Sequence, residues 1–229
     1  YAYCKPYSRT GDVIVEEYMS GPEVSVETLA VDGVCHVIQI TDKLTTGAPH
    51  YVEMGHSQPT RHSKEIANQI AEVAIAANKA VGIKNGPSHT EIIVTPEGPK
   101  VVELGARLGG DNITTHLVPL STGVNMVECC IKIALNEKPD IKPKWNKGAA
   151  VRYFSQHAGV VKRIEGLEEA KLIEGIQQIR IVHGVGEKVT EINSSGARMG
   201  FVIAQGESAD VAVENCYRAL EQINIEIEV

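Results

Sequence analysis

Two carboxylates, Glu91 in the run HTEIIV and Glu103 in KVVELGARLGG, flank the turn Thr95-Pro96-Glu97-Gly98. A hairpin centred on Glu97 sets them directly opposite each other on one face of an antiparallel ladder. Like charges so placed repel. The arrangement therefore makes chemical sense with a cation between them, and Mg²⁺, which prefers oxygen ligands, is the economical choice. The competing reading is a pair of solvated acids on an outer sheet face. Register decides between them, because a slip of one residue sends one carboxylate to the other face. His89 lies two residues before Glu91 and shares its face, where it can hydrogen-bond the carboxylate from behind.

The elements that must position these groups are legible as changes of period. Residues 13–17 read as an apolar strand. Residues 23–31 alternate, turn at Asp32-Gly33 and continue as a second run over 34–41, a strong hairpin signal. Residues 42–59 form a polar, loop-rich stretch with one short strand at 51–54, long enough to carry function. A helix follows, with Thr60 as N-cap, Ile66, Ile70, Val73, Ala77 and Val81 as its buried stripe, and Gly82 as its stop. Beyond the Glu91/Glu103 hairpin come a glycine-rich loop at 105–110 and a second helix carrying Val124, Val127, Ile131 and Leu135. Pro139 and Pro143 end that pattern. Residues 136–147 connect to strands at 149–154, 176–182 and 199–204. A closing helix over 208–223 places Ala212, Cys216, Ala219 and Ile223 on one side. A subdomain boundary is expected near residue 148, dividing the chain into 1–148 and 149–229.

Composition excludes several partners. With 229 residues and 43% hydrophobic content the chain can bury a large core. Its 22 basic against 29 acidic side chains give a net charge of −7, with no basic stripe to neutralise a nucleic-acid backbone. No run of about 18 apolar residues exists, so no membrane helix is expected, and the first residues do not resemble a signal peptide. The five cysteines have no spacing suited to zinc and read as reduced thiols of a cytoplasmic protein. The opening YAYCKPYSRTG has no initiator Met, so the chain reads as a fragment or a processed product.

The segment VIVEEYMSGPEVSVE carries acids at Glu16, Glu17, Glu23 and Glu27, and alone it reads as a solvated acidic edge. Together with HTEIIVTPEGPKVVELGARLGG, in that order and spacing, it resembles the ATP-grasp superfamily. The likeness is to carboxylate-amine ligases of the L-amino acid ligase and carbamoyl-phosphate-synthase-like type, and it runs from about Ser8 to Leu135. The resemblance implies an α+β fold: an ATP-grasp C-terminal lobe with a mostly antiparallel sheet flanked by helices, followed by a smaller C-terminal α+β subdomain.

It also implies residue roles. Glu16, Glu17, Tyr18 and Met19 match the segment that holds adenine through main-chain groups, and Glu23 matches an acid that accepts from ribose hydroxyls. The family's metal carboxylates fall on Glu91 and Glu103, with Mg²⁺ or Mn²⁺ bridging ATP phosphates. Many members carry Asn two residues after the second acid, where this chain has Gly105, which leaves a second metal ion open. Arg107 matches an arginine that stabilises the acyl-phosphate. The loop carrying Lys43, Glu53 and His56 matches a region facing the second substrate, Glu53 to bind an amine and His56 to orient or deprotonate it. Asp111 stands where some relatives carry a bulky side chain. Arg152, Arg198 and the run His183-Gly184-Val185-Gly186 are candidates to reach the site from the last subdomain.

The implied reaction is attack of a carboxylate on the γ-phosphate of ATP, followed by attack of an amine on the resulting acyl-phosphate. The implied partners are small-molecule carboxylates and amines, with a homodimer as a candidate assembly. A bicarbonate-activating carboxylase or carbamoyl-phosphate-type ligase, and a nucleotide-binding module without turnover, are the rivals. The family's N-terminal domain and first nucleotide lobe are expected to be missing ahead of Val13. The 229 residues alone are therefore expected to bind nucleotide weakly and turn over poorly.

Overall fold

A computed structural model describes Tyr1–Val229, and alternation along the first hairpin decides which face of its main sheet is apolar and which is polar. Strands β1 (Glu23–Val31) and β2 (Val34–Thr45) pair antiparallel through the Asp32-Gly33 turn. They are joined by β3 (Glu53–Gln58), β4 (Gly86–Thr95), β5 (Gly98–Gly105), β6 (Gly148–Tyr153), β8 (Ile176–Ile181) and β10 (Gly200–Gly206). The result is one eight-stranded sheet of order β5-β4-β1-β2-β3-β6-β10-β8. A separate three-stranded sheet contains β7 (Gly159–Glu165), β9 (Lys188–Val189) and β11 (Asn224–Glu228), with β7 in the middle. The main sheet runs unbroken across residue 148, which is the first residue of β6.

On one face, Val24, Val26, Ile40 and Ile92 bury against helix α1 (Lys64–Ala80), whose Ile70 and Ala74 are fully covered. Such a sheet-to-helix layer is the normal way for a half-apolar sheet to bury its greasy side. The helix starts three residues later than the sequence suggests, because Ser63 is the cap, its hydroxyl accepting from the Ile66 amide at 3.3 Å. Thr60 instead donates to Asp42, which also accepts from the Arg61 amide at 3.0 Å. The expected stripe is buried or half-buried except for Val81, which is exposed.

Three other expectations need correction. Residues 13–17 do not join a strand, and Ile14, Val15 and the neighbouring Tyr18 are exposed. The loop-rich stretch is shorter than expected, because β2 continues to Thr45 and β3 runs from Glu53 to Gln58. In helix α3 (Met126–Ala134) the buried residues are Met126 and Cys129, while Val127, Ile131 and Leu135 face outward. The stripe fails there because apolar residues occur on both sides of this helix, so spacing alone does not fix its phase. A π-helical turn at Ile113–Leu117 running into α2 (Val118–Thr122) also gave no clear periodic signal.

The closing helix α5 (Ala209–Gln222) follows the reading from sequence: Ala212, Cys216 and Ala219 are wholly buried against Ala150, Val202 and Ala204. Together with α4 (Leu167–Lys171) it covers the end of the main sheet opposite α1. No single helix is long and apolar enough to cross a membrane.

Close approach of β6 to the start of α5 requires Gly148, where an added Cβ would lie 1.8 Å from the Ser208 carbonyl oxygen. Gly148→Ala is expected to lower unfolding free energy in urea by about 1–3 kcal/mol. Gly110→Ala, with nothing within 4 Å of the added atom, should change it by less than about 0.5 kcal/mol.

Candidate active site

The other face of the same strands is polar yet covered. Ser25, Glu27, Thr41, Gln58 and His89 point to it, and all are buried. The reading of Glu23 and Glu27 as a solvated edge is thus corrected: β1 sits between β2 and β4, and Glu27 has no exposed surface. Burying a carboxylate is costly without partners. Glu27 has them in His89, whose Nδ1 lies 2.7 Å from Oε1, and in Ser25, whose hydroxyl donates at 3.1 Å. Its second oxygen, Oε2, is buried without a hydrogen-bond partner. Gly109 packs so close that a Cβ there would lie 2.7 Å from both Glu27 Oε2 and His89 Nδ1. That contact requires glycine and clamps the 105–110 loop onto the polar face.

Glu91 and Glu103 are cross-strand partners, reached by a route the turn alone does not provide. The turn pairs Thr95 with Gly98, a register that would set Glu91 opposite Val102. A bulge between the Glu91 and Ile92 pairings leaves Val102 without a partner and brings Glu103 into line. The two side chains nevertheless differ in surroundings. Glu91 is one-fifth exposed and lies 3.0 Å from Lys43 Nζ and 3.4 Å from His89 Nε2. Glu103 is 59% exposed, its nearest cation being Arg107 at 3.9 Å.

Lys43 is the hub. Its ammonium is almost fully buried, ion-paired to Glu23, and 3.7 Å from Glu53 as well as 3.0 Å from Glu91. Burial alone would push its pKa down, but hydrogen bonds and charges from Glu23 and Glu91 raise it. Glu91 is held down to about 2, first by the His89 hydrogen bond and, against the opposing effect of burial, by Lys43. Burial likewise works against a charged His89, yet Glu27 and Glu91 raise it to about 9. The imidazolium therefore bridges two carboxylates.

A second cluster closes the cleft. Asp111, at φ +48°, accepts two bonds from Arg198, 2.7 and 2.8 Å long, and lies 3.4 Å from His56 Nε2. Burial opposes its ionisation, but Arg198 and His56 hold its pKa well below the usual carboxylate range. Arg198 stacks on the Tyr153 ring at 3.7 Å and donates to the Glu53 carbonyl at 2.8 Å. Ser195 donates to the Glu53 carboxylate at 3.2 Å. Lys43 and His56 are cross-strand partners, which puts the two clusters side by side.

Between them lies a cleft of about 190 Å³ lined by Lys43, Glu53, His56, His89, Glu91, Arg107 and Asp111. All seven were singled out by sequence. Glu23 reaches it through Lys43 and fronts an adjoining pocket with Asp42 and Arg61. Glu103 is not among the residues that line the cleft and meets it only through Arg107. Glu16, Glu17 and Tyr18 are exposed and Met19 is half-buried, all four outside the cleft, with Glu17 3.7 Å from Lys100. Arg198 enters the cluster as expected of the last subdomain. His183 pairs with Glu187 instead, at 3.4 Å. Sequence reasoning missed Glu27 and Ser195; for Glu27 the signal was present, since it shares the period-two face of Glu23 and Ser25.

Known proteins resemble this chain along most of its length. Residues 2–115 match the ATP-grasp domain family and residues 152–228 match L-amino acid ligase C-terminal domain 2. The chain is 30% identical over 241 residues to a phosphoribosylamine-glycine ligase of Caldanaerobacter subterraneus, covering 96% of this chain and 55% of that protein. It is 29% identical over 111 residues to the alanine-anticapsin ligase of Bacillus subtilis, covering 48% and 23%. The crystal structure of an L-amino acid ligase from Bacillus licheniformis superposes with a TM-score of 0.81 at 26% identity, over 93% of this chain and 53% of that one. A phosphoribosylglycinamide synthetase from Anaerococcus prevotii, at 20% identity and a TM-score of 0.82, shares the fold. The chain spans about half the length of these full-coverage relatives. With the two family matches following one another along the same sheet, the chain belongs to the ATP-grasp superfamily, as an ATP-grasp segment joined to an L-amino acid ligase C-terminal domain.

Proposed function

We propose that the protein carrying this chain is an ATP- and Mg²⁺-dependent carboxylate-amine ligase that forms an amide or peptide bond through an acyl-phosphate, in the cytoplasm, where its unpaired thiols stay reduced. The observation that carries this reading is the convergence of Lys43, Glu53, His56, Glu91, Arg107 and Asp111 on one cleft. Such a mixed set can neutralise phosphate charge at one end and hold an ammonium at the other. The segment ahead of β1 supports it as well. Residues 16–19 make no main-chain hydrogen bonds, so their N–H and C=O groups are free to read an adenine edge, with Glu23 beside them for the ribose.

The metal fits the donor set. Glu91 and Glu103 are cross-strand partners, and no group of three acids, histidines or cysteines converges on a point. That suits a cation bound by one or two carboxylates whose shell is completed by water and phosphate oxygens. Bound there, Mg²⁺ or Mn²⁺ would neutralise charge on the transferring phosphate. Lys43 and Arg107 bring positive charge to the cleft that Glu91 lines, and Arg107, being exposed, is free to swing onto an acyl-phosphate. Glu53, held by Ser195, offers its carboxylate to the incoming ammonium, and His56, with Asp111 on Nε2, orients or deprotonates it.

In the intact protein, Glu103→Gln and Glu91→Gln are each expected to cut amino-acid-dependent ADP release by about 10²-fold or more. ADP release that responds to bicarbonate and to no amino acid would sink the reading.

A second expectation concerns the metal-free chain. His89 titrates at about 9 when folded against 6.5 unperturbed, so its contribution is complete below 6.5 and is lost as pH rises through 9. Glu91, lowered to about 2 from 4.5, contributes above 4.5 and fades as pH falls towards 2. Urea unfolding should thus show a loss on the order of 1–3 kcal/mol between pH 6.5 and 10. His89→Gln should flatten that limb, and an unchanged slope would refute the bridge.

A further inference from the structure

A second candidate site lies on the opposite face of the sheet. Leu44, Gly55, Arg152 and Val202 form one row across β2, β3, β6 and β10. The neighbouring row, Lys43, His56 and Val151, points the other way, into the cleft side. Arg152 is 4% exposed, yet no carboxylate pairs with it. Its Nη1 donates to the His56 and Val151 carbonyls at 3.0 and 2.9 Å, while Nε is buried with no acceptor. Arginine is almost never so buried unless paired, and an unmatched buried donor is costly.

The strand beneath it is shaped to hold the guanidinium in place. Gly55 has no side chain, and a Cβ there would lie 2.6 Å from Arg152 Nη1 and 2.8 Å from Cδ. The arginine therefore lies across β3 towards Leu44, with the Tyr217 ring 5.6 Å from its guanidinium carbon. It fronts a cavity of about 570 Å³ whose walls include Leu44, Met54, Phe154, Tyr217 and Ile225. Leu44 and Tyr217 are exposed there, 41% and 44%. The acid of this cavity is Glu221, which is exposed on α5 and makes no ion pair with Arg152. A concave, mainly apolar pocket of this volume with a few polar groups, here Arg152 with Thr45, Ser155, Glu221 and Asn224, is the usual form of a small-molecule site.

We propose that this pocket binds a small amphipathic carboxylate, its carboxylate on Arg152 and its apolar body along Leu44, Met54, Tyr217 and Ile225. The anionic head supplies the acceptors that Arg152 lacks, and a guanidinium suits a carboxylate better than any neutral head group. Because Arg152 also holds the His56 carbonyl, the pocket touches the backbone of a cleft residue from behind.

The test titrates the isotope-labelled chain with octanoate, 1-octanol and acetate, following amide and arginine side-chain NMR signals. Octanoate should bind saturably and move the signals of Leu44, Arg152, Tyr217 and Ile225. Octanol, with the same tail and no charge, should bind about tenfold more weakly, and acetate should not saturate. Glu221→Gln, an exposed change that spares the fold, should tighten octanoate about two- to threefold by removing a like charge. Arg152→Met and Gly55→Ala should abolish the preference for acid over alcohol. Equal binding of octanoate and octanol overturns the proposal, as does no saturation below about 10 mM. Shifts confined to the Glu91 cleft, or groove signals that broaden with protein concentration alone as a second copy covers them, also overturn it. Should Arg152→Met not fold, the acid-alcohol comparison and Glu221→Gln still decide. Neither readout involves ATP, so failure here leaves the ligase reading standing, and the converse holds.

Discussion

One buried ammonium allows the rest of the site to exist. Glu23, Glu53 and Glu91 come from three different strands, and without a cation among them their mutual repulsion would push the strands' polar faces apart. Lys43 sits nearly unexposed within ion-pair reach of all three. His89 performs the same service one row over for Glu27 and Glu91. Breaking such a pair leaves an uncompensated buried charge, which costs about 3–5 kcal/mol. The network thus fixes register as much as it stores charge: a slipped strand would strand an acid in the interior.

This constraint explains why the sheet is built as it is. Alternation in β1 gives Val24 and Val26 to α1 and Glu23, Ser25 and Glu27 to the opposite side. An ordinary half-exposed sheet would leave those polar residues in water. Here the loop at 105–110 and the helical turns after it cover them, and Gly109 lets that loop come within contact of Glu27. Covering a polar face lowers its dielectric and strengthens every interaction on it. An acid at pKa about 2 and an imidazole at about 9, in hydrogen-bond contact, are the result.

Much of this was legible in the residues and some was not. The α+β class, the Asp32-Gly33 hairpin, the α5 stripe and the facing of Glu91 and Glu103 follow from period and turn chemistry. The last was reached for an incomplete reason, since the turn lies half a step from where symmetry about Glu97 puts it and an unpaired Val102 makes up the difference. Bulges carry no mark in a single sequence unless a glycine announces them. Nor does composition tell an edge strand from a central one. Glu27 looks solvated in sequence and is buried in the fold because β4, sixty residues on, pairs against β1. The phase of α3 was lost for a related reason: apolar residues on both of its sides make the buried face a tertiary decision.

The polar face and its reverse are also linked through single strands. In β3, the His56 side chain meets Asp111 on the cleft side, while its carbonyl, in the plane of the sheet, receives Arg152 from the other. In β6, Val151 supports the cleft-side core and Arg152 crosses Gly55 on the far side. Because side chains alternate with a period of two, any shift of β3 along its axis that improved one of these contacts would break the other. Two opposed anchors on adjacent residues hold β3 in register more firmly than either would alone. The cleft is therefore positioned by buried charge on both sides of one sheet.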